Sequence, residues 1–142
     1  MDYRILAVDE LLNIKKYRTA EKIAKIRICE LESTLKSVGG GASGGTAKSG
    51  ENKTEHRWLS LLASIDDERE RLEGATRNIE KVEIALSAVS EDERKLLEMC
   101  YIQKKSVERF AEEASMSRAT AYRLRDEALI NFTRAMYGTV IT

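Results

Sequence analysis

Phe110-Ala111-Glu112-Glu113-Ala114-Ser115-Met116-Ser117-Arg118-Ala119-Thr120-Ala121-Tyr122-Arg123-Leu124 is the stretch whose reading decides the fold. It reads as a helix, a three-residue turn and a second helix. Small or apolar side chains stand where two closely crossing helices must bury them: Phe110, Ala111 and Ala114, then Met116, then Ala121 and Leu124. Ala111 matters because a larger side chain at the crossing would push the helices apart. Ser117 is a good N-cap for the second helix, its hydroxyl accepting from an otherwise unpaired backbone N–H. Arg118, Ala119, Tyr122, Arg123 and Asp126 are left facing outward, at the positions that enter the major groove when a helix-turn-helix docks on DNA. Ser115 stands where such a turn usually carries glycine, so a positive φ there is mildly strained.

Signals on both sides extend this reading. Ser106 is placed to cap the first helix of the pair, and Ser90 with Glu93 forms a capping box for a helix before it. The second helix is expected to run to about Tyr137, burying Ala121, Leu124, Ala128, Phe132 and Ala135 or Met136 at 3.6-residue spacing. Residues 90–142 are therefore read as a helix-turn-helix DNA-binding domain, with Phe110, Ala111, Met116, Ala121 and Leu124 as its core. The competing reading is an ordinary helical hairpin whose arginines are merely solvated.

Upstream, residues 54–89 carry the clearest heptad pattern in the chain. Trp58, Ile65, Leu72, Ile79 and Leu86 recur every seven residues, and Leu61, Ala75, Val82 and Val89 fill the other seam position, with Glu68 the one exception. Five heptads argue for a coiled coil. Residues 1–38 read as a first long helix with apolar positions at Ile5, Val8, Leu12, Ile26, Leu31, Leu35 and Val38. Between them, residues 39–53 begin with a run holding six of the eight glycines and read as a flexible linker, with a reach on the order of 20 Å. Charge favours an antiparallel hairpin. Lys15, Arg18, Lys22 and Lys25 form a basic stripe, and folding back at the linker sets Lys25 near Asp66, Lys22 near Glu70 and Arg18 near Glu73. Each exposed pair contributes little, but together they select orientation. The alternative use of that stripe is to track phosphates. The expected fold is all-α: a long N-terminal hairpin, an antiparallel coiled coil, followed by the helix-turn-helix module.

Composition narrows the chemistry. The 142 residues contain no proline, which leaves long helices uninterrupted. No run of 18 apolar residues suggests a membrane span, and Met1-Asp2-Tyr3-Arg4 lacks the start of a signal peptide, so a cytoplasmic protein is expected. Cys29 and Cys100 lie far apart within helical patterns and are expected to be reduced and partly buried. His56 reads as a surface residue. Lys48-Ser49 after the glycine run is not a phosphate loop, because Ala47 replaces the required glycine and no strand precedes it. Without a nucleophile–base pair or a ligand cluster, neither enzyme activity nor a metal or cofactor is expected. The 24 basic and 24 acidic residues cancel, and residues 90–142 hold nine of each. Acids cluster at Glu91-Asp92-Glu93 and at Glu108, Glu112 and Glu113, while Arg118, Arg123 and Arg125 gather on the outward helix. Few phosphates are neutralised per monomer, so non-specific binding should be weak and useful affinity should need a dimer or a partner on the DNA.

Leu96-Leu97, Tyr101-Ile102, Val107, Phe110-Ala111, Met116-Ser117, Ala121-Tyr122, Leu124, Ala128-Leu129 and Phe132, over residues 90–137, carry a resemblance to the fourth region of bacterial sigma factors. The chain is more similar still to sigma-like phage transcriptional regulators, the ArpU-like and RinA-like regulators of phages of Gram-positive bacteria. That resemblance implies that Arg118, Ala119, Tyr122 and Arg123 read promoter DNA, that Ser117 caps the reading helix, and that Lys104, Lys105 and Arg109 are backbone contacts, with Arg125 a further candidate. Sigma regions that melt promoters or hold the polymerase core have no counterpart in these motifs, so an accessory activator is implied, with double-stranded DNA and bacterial RNA polymerase as partners and a homodimer as a further one. Two other functions stay open: a small DNA-packaging subunit of terminase type, and a protein-interaction module that binds no DNA.

Overall fold

The computed structural model describes residues 1–40 and 48–141. Its elements are α1 (Tyr3–Gly40), α2 (Lys48–Ala88), α3 (Glu91–Leu97) continued by a π-helical turn (Glu98–Ile102), α4 (Val107–Glu113) and α5 (Arg118–Tyr137). The protein is all-α, as the periodicities require. The helices reach further into the expected linker than its composition suggests: α1 ends at Gly40 and α2 begins at Lys48. The rest of that linker, residues 41–47, lies outside the described residues. Among the described residues no helix is long and apolar enough to cross a membrane.

The chain divides into two compact units, and both long helices run through both of them. The first comprises residues 1–17 and 77–142. Its core joins Ala7, Leu11 and Ile14 of α1 and Ile79, Val82, Ala85 and Leu86 of α2 to Leu96, Leu97, Ile102, Val107, Phe110, Ala111, Ala121, Ala128 and Phe132. The C-terminal helices thus share one core with the ends of α1 and α2. The chain ends of this unit are also tied: Tyr3 N–H donates to the Val140 carbonyl at 2.9 Å, and the Tyr3 and Tyr137 rings lie 5.2 Å apart.

The second unit, residues 18–76, is antiparallel, as expected. The Thr76 hydroxyl donates to Glu21 at 2.8 Å, Arg27 bridges Glu68 at 3.6 Å, and Arg69 bridges Glu32 at 3.1 Å. The expected charge pairs are corrected in register. Lys25 bridges Glu21 on its own helix at 3.8 Å. Glu21, which the expected register sets opposite Glu70, instead meets Thr76, about one and a half helical turns further along α2.

The seam of α2 follows the heptads from Leu61 to Leu86. Ile65, Ala75, Ile79, Val82 and Leu86 are buried, and Leu61 and Leu72 are half-buried. Trp58 departs from the expected seam and is 41% exposed. The inward face of α1 is corrected more substantially. Ile5, Leu12 and Ile26 are exposed, whereas residues 7, 10, 14, 17, 21, 24, 28, 31, 35 and 38 are all buried or half-buried. That is also a heptad seam. Glu10 and Glu21 stand within it, while Ile5, Leu12, Ile23 and Ile26 supply a second apolar stripe that does not turn inward.

Candidate nucleic-acid interface

Local hydrogen bonds set the helix starts around the site. Ser90 accepts from the Glu93 N–H at 3.3 Å, Ser106 from the Arg109 N–H at 3.1 Å, and Ser117 from the Thr120 N–H at 3.2 Å, so the three expected caps are present. Each satisfies a backbone donor that its helix leaves unpaired. The Ser90 box has a variation. Its hydroxyl donates to Glu93 Oε1 at 2.9 Å, and the other carboxylate oxygen accepts from Asn131 of α5 at 2.8 Å, fastening α3 to α5.

The turn between α4 and α5 is closed as the sequence predicts. Ser115 has φ 55°, the Met116 N–H donates to the Ala111 carbonyl at 2.9 Å, and the Ser115 N–H donates to the Glu112 carbonyl at 3.3 Å. These two bonds form a Schellman motif with serine at the left-handed position. Ala111 and Ala121 are buried on the two sides of the turn with Phe110, and Met116 and Leu124 are half-buried, as the helix-turn-helix form requires, but Ala114, expected to be buried with them, caps the end of α4 and is exposed. A second left-handed residue, Lys104 at φ 58°, ends the π-helical turn, where the Gln103 N–H reaches the Glu98 carbonyl at 2.9 Å and the Lys105 N–H reaches the Met99 carbonyl at 3.0 Å. Neither this left-handed lysine nor the π turn has a local sequence signal.

The predicted reading residues do not all behave alike. Ser117, the cap of α5, and Arg118, Ala119, Arg123 and Asp126 on α5 are exposed. No acidic residue lies in the first turn of α5, so its partial positive charge is not neutralised from within the helix. Neither Arg118 nor Arg123 takes part in an ion pair or a side-chain hydrogen bond among the described residues. Tyr122, in contrast, is half-buried against the core, and its hydroxyl donates to the Glu108 carboxylate on α4. Arg125 lies over the Tyr122 ring, 4.9 Å from the centroid, and bonds Asp126 through Nε and Nη2 at 3.3 and 3.2 Å. The Tyr122 hydroxyl holds the Glu108 carboxyl below the usual carboxylate range, and the Glu108 carboxylate in turn raises the Tyr122 phenol.

Of the backbone-contact candidates, Lys104 is exposed, Lys105 is half-buried, and Arg109 is exposed but bridges Glu113 at 3.5 Å. Cys29 is exposed rather than partly buried, and Cys100 is half-buried. Burial pushes the Cys100 thiol up, with Arg125 opposing. Glu108 is the residue that sequence reasoning missed. It lies one helical turn before Ala111, and Tyr122 immediately follows Ala121, so the Ala111/Ala121 crossing is the one signal that points to their meeting.

Fold and site together define an all-helical protein with a long helical pair and a C-terminal helix-turn-helix that shares its core. The chain belongs to the family described as protein of unknown function (DUF1492), whose model matches residues 33–133. No curated protein matches the chain, and no solved structure matches it.

Proposed function

We propose that the protein binds double-stranded DNA in a sequence-dependent manner, with the first turns of α5 entering the major groove. The observation that carries this reading is the pairing of the left-handed Ser115 turn with an exposed α5 start bearing Arg118, Ala119 and Arg123. Arginine on such a helix is suited to bidentate contact with guanine, contributing roughly 1–3 kcal/mol of discrimination per contact. Lys104, Lys105 and Ser117 are assigned to the flanking phosphates. Together with the resemblance to sigma-like phage regulators, this supports a phage or prophage transcriptional regulator acting at promoters with RNA polymerase in the bacterial cytoplasm. The equal numbers of acids and bases in residues 90–142 favour a dimer or a partner on the DNA over tight binding by one copy.

The test is selection of bound sequences from a random double-stranded pool at about physiological salt, with the Arg118→Ala/Arg123→Ala double variant as control. A motif recovered by the wild type and lost by the variant is expected. No enrichment by folded wild-type protein, alone or with polymerase, would remove the DNA-reading assignment and leave a protein-interaction module.

A further inference from the structure

Four side chains connect α4 to the reading helix in one line: Glu108 to Tyr122 by hydrogen bond, Tyr122 to Arg125 by ring stacking, and Arg125 to Asp126 by ion pair. Three of these, Tyr122, Arg125 and Asp126, are residues the sequence assigns to DNA, and Tyr122 and Arg125 are the two donors among them. A phenol or guanidinium on a docking face donates to any phosphate oxygen it reaches, whatever the base sequence. Contacts of that kind strengthen cognate and non-cognate binding together, so they do not raise discrimination. Here both groups have partners within the protein, whereas neither Arg118 nor Arg123 makes a hydrogen bond or ion pair among the described residues, although the Arg118 charge is felt by Glu108 and Tyr122.

Resting on the DNA-binding reading above, we propose that Glu108 sets the level of sequence-blind binding: its carboxylate keeps the Tyr122 hydroxyl from serving as a phosphate donor. Arg125, stacked on the Tyr122 ring and paired with Asp126, is restrained with it. The face is thereby divided into two arginines available to bases and two groups withheld from the backbone. Glu108 is a positioning residue in this scheme, because it acts through Tyr122. The bond is charge-assisted, which suits it to compete with a phosphate for one hydroxyl. The shifts of both groups, the carboxyl lowered and the phenol raised, agree with a bond held over a wide pH range.

The test measures binding of the full chain to a non-cognate duplex and to a selected cognate one. The proteins are the wild type, Glu108→Ala, Glu108→Gln, Tyr122→Phe and the Glu108→Ala/Tyr122→Phe pair, each first shown to melt cooperatively. Glu108→Ala is expected to tighten non-cognate binding by roughly three- to tenfold, the scale of one recovered hydrogen bond. Glu108→Gln keeps an acceptor for the hydroxyl and should show a smaller gain. In the Tyr122→Phe background the gain from Glu108→Ala should largely vanish. An equal gain in both backgrounds would show that removing a negative charge is sufficient, and would overturn the proposal. Unchanged non-cognate binding by Glu108→Ala overturns it as well. A wild type that binds no duplex at all refutes the DNA-binding reading itself, which separates that failure from failure of the Glu108 assignment.

Discussion

The unit of residues 1–17 and 77–142 and the unit of residues 18–76 are built on the same two helices and are held by different means. In the first, α3, α4 and α5 add a layer over the helical pair. All of the largest fully buried side chains belong to it: Phe132, Leu11, Ile14, Leu96, Leu97, Val82 and Thr133. In the second, among the described residues, only Ala24, Ile65 and Ala75 are buried apolar side chains, and the buried carboxylate of Glu68 stands in the seam with them. Two helices alone have one line of contact and enclose few large side chains, of which Ile65 is one here. A third layer encloses more. The first unit is therefore stabilised by burial, while in the second Glu68–Arg27, Glu21–Thr76 and Glu32–Arg69 select the alignment.

Cutting into the first unit should do the most damage. A fragment starting at Ser90 keeps the whole helix-turn-helix sequence but loses Leu11, Ile14, Val82 and Leu86 from its core. It is expected to lose cooperative thermal unfolding by circular dichroism. A sharp single transition in the fragment would mean that residues 90–142 enclose a sufficient core by themselves. Glu68→Leu probes the second unit with a smaller effect. Arg27 and Arg71, its partners at 3.6 and 3.0 Å, are both more than half exposed and regain water when the carboxylate goes. Stability in urea should stay within about 1 kcal/mol of the wild type or rise, because an apolar side chain suits the seam. A loss beyond about 2 kcal/mol would show that the ion cluster, rather than burial, stabilises this unit.

The smallest effect concerns the reading helix. Glu108 contributes to stability above the ordinary carboxylate range and loses that contribution as pH falls through its lowered value. Tyr122 contributes below the ordinary phenol range and loses it as pH rises through its raised value. The contact should hold across the neutral range. In an alkaline absorbance titration of the five tyrosines, Glu108→Ala should move one phenol to lower pH. An unchanged titration curve would argue against a persistent Tyr122–Glu108 bond.

What is legible in the sequence is what is local. The Ser90, Ser106 and Ser117 caps each act on a residue three positions away, and the Ser115 turn is closed by carbonyls within five residues. The α2 seam was legible because nine of its ten heptad positions are apolar, although Trp58 proved exposed. The α1 seam was not. Glu10 and Glu21 interrupt its apolar pattern, and the exposed Ile5, Leu12 and Ile26 offered an alternative of similar regularity. Choosing between two stripes on one helix requires knowing which is covered, and that information lies in α2 and the C-terminal helices.

By itself, then, the sequence determined an all-α chain, the caps and turn of the helix-turn-helix, and the seam of α2, because each follows from hydrogen bonds or side-chain periodicity within one segment. Tertiary structure alone decided which stripe of α1 turns inward, the register of the helical pair, and the sharing of one core by α3, α4 and α5 with the ends of α1 and α2. It also decided that Tyr122 is held by a carboxylate fourteen residues away. The physical reason is the same in each case: burial and hydrogen-bond competition depend on which distant group arrives, and a single segment does not encode its partner.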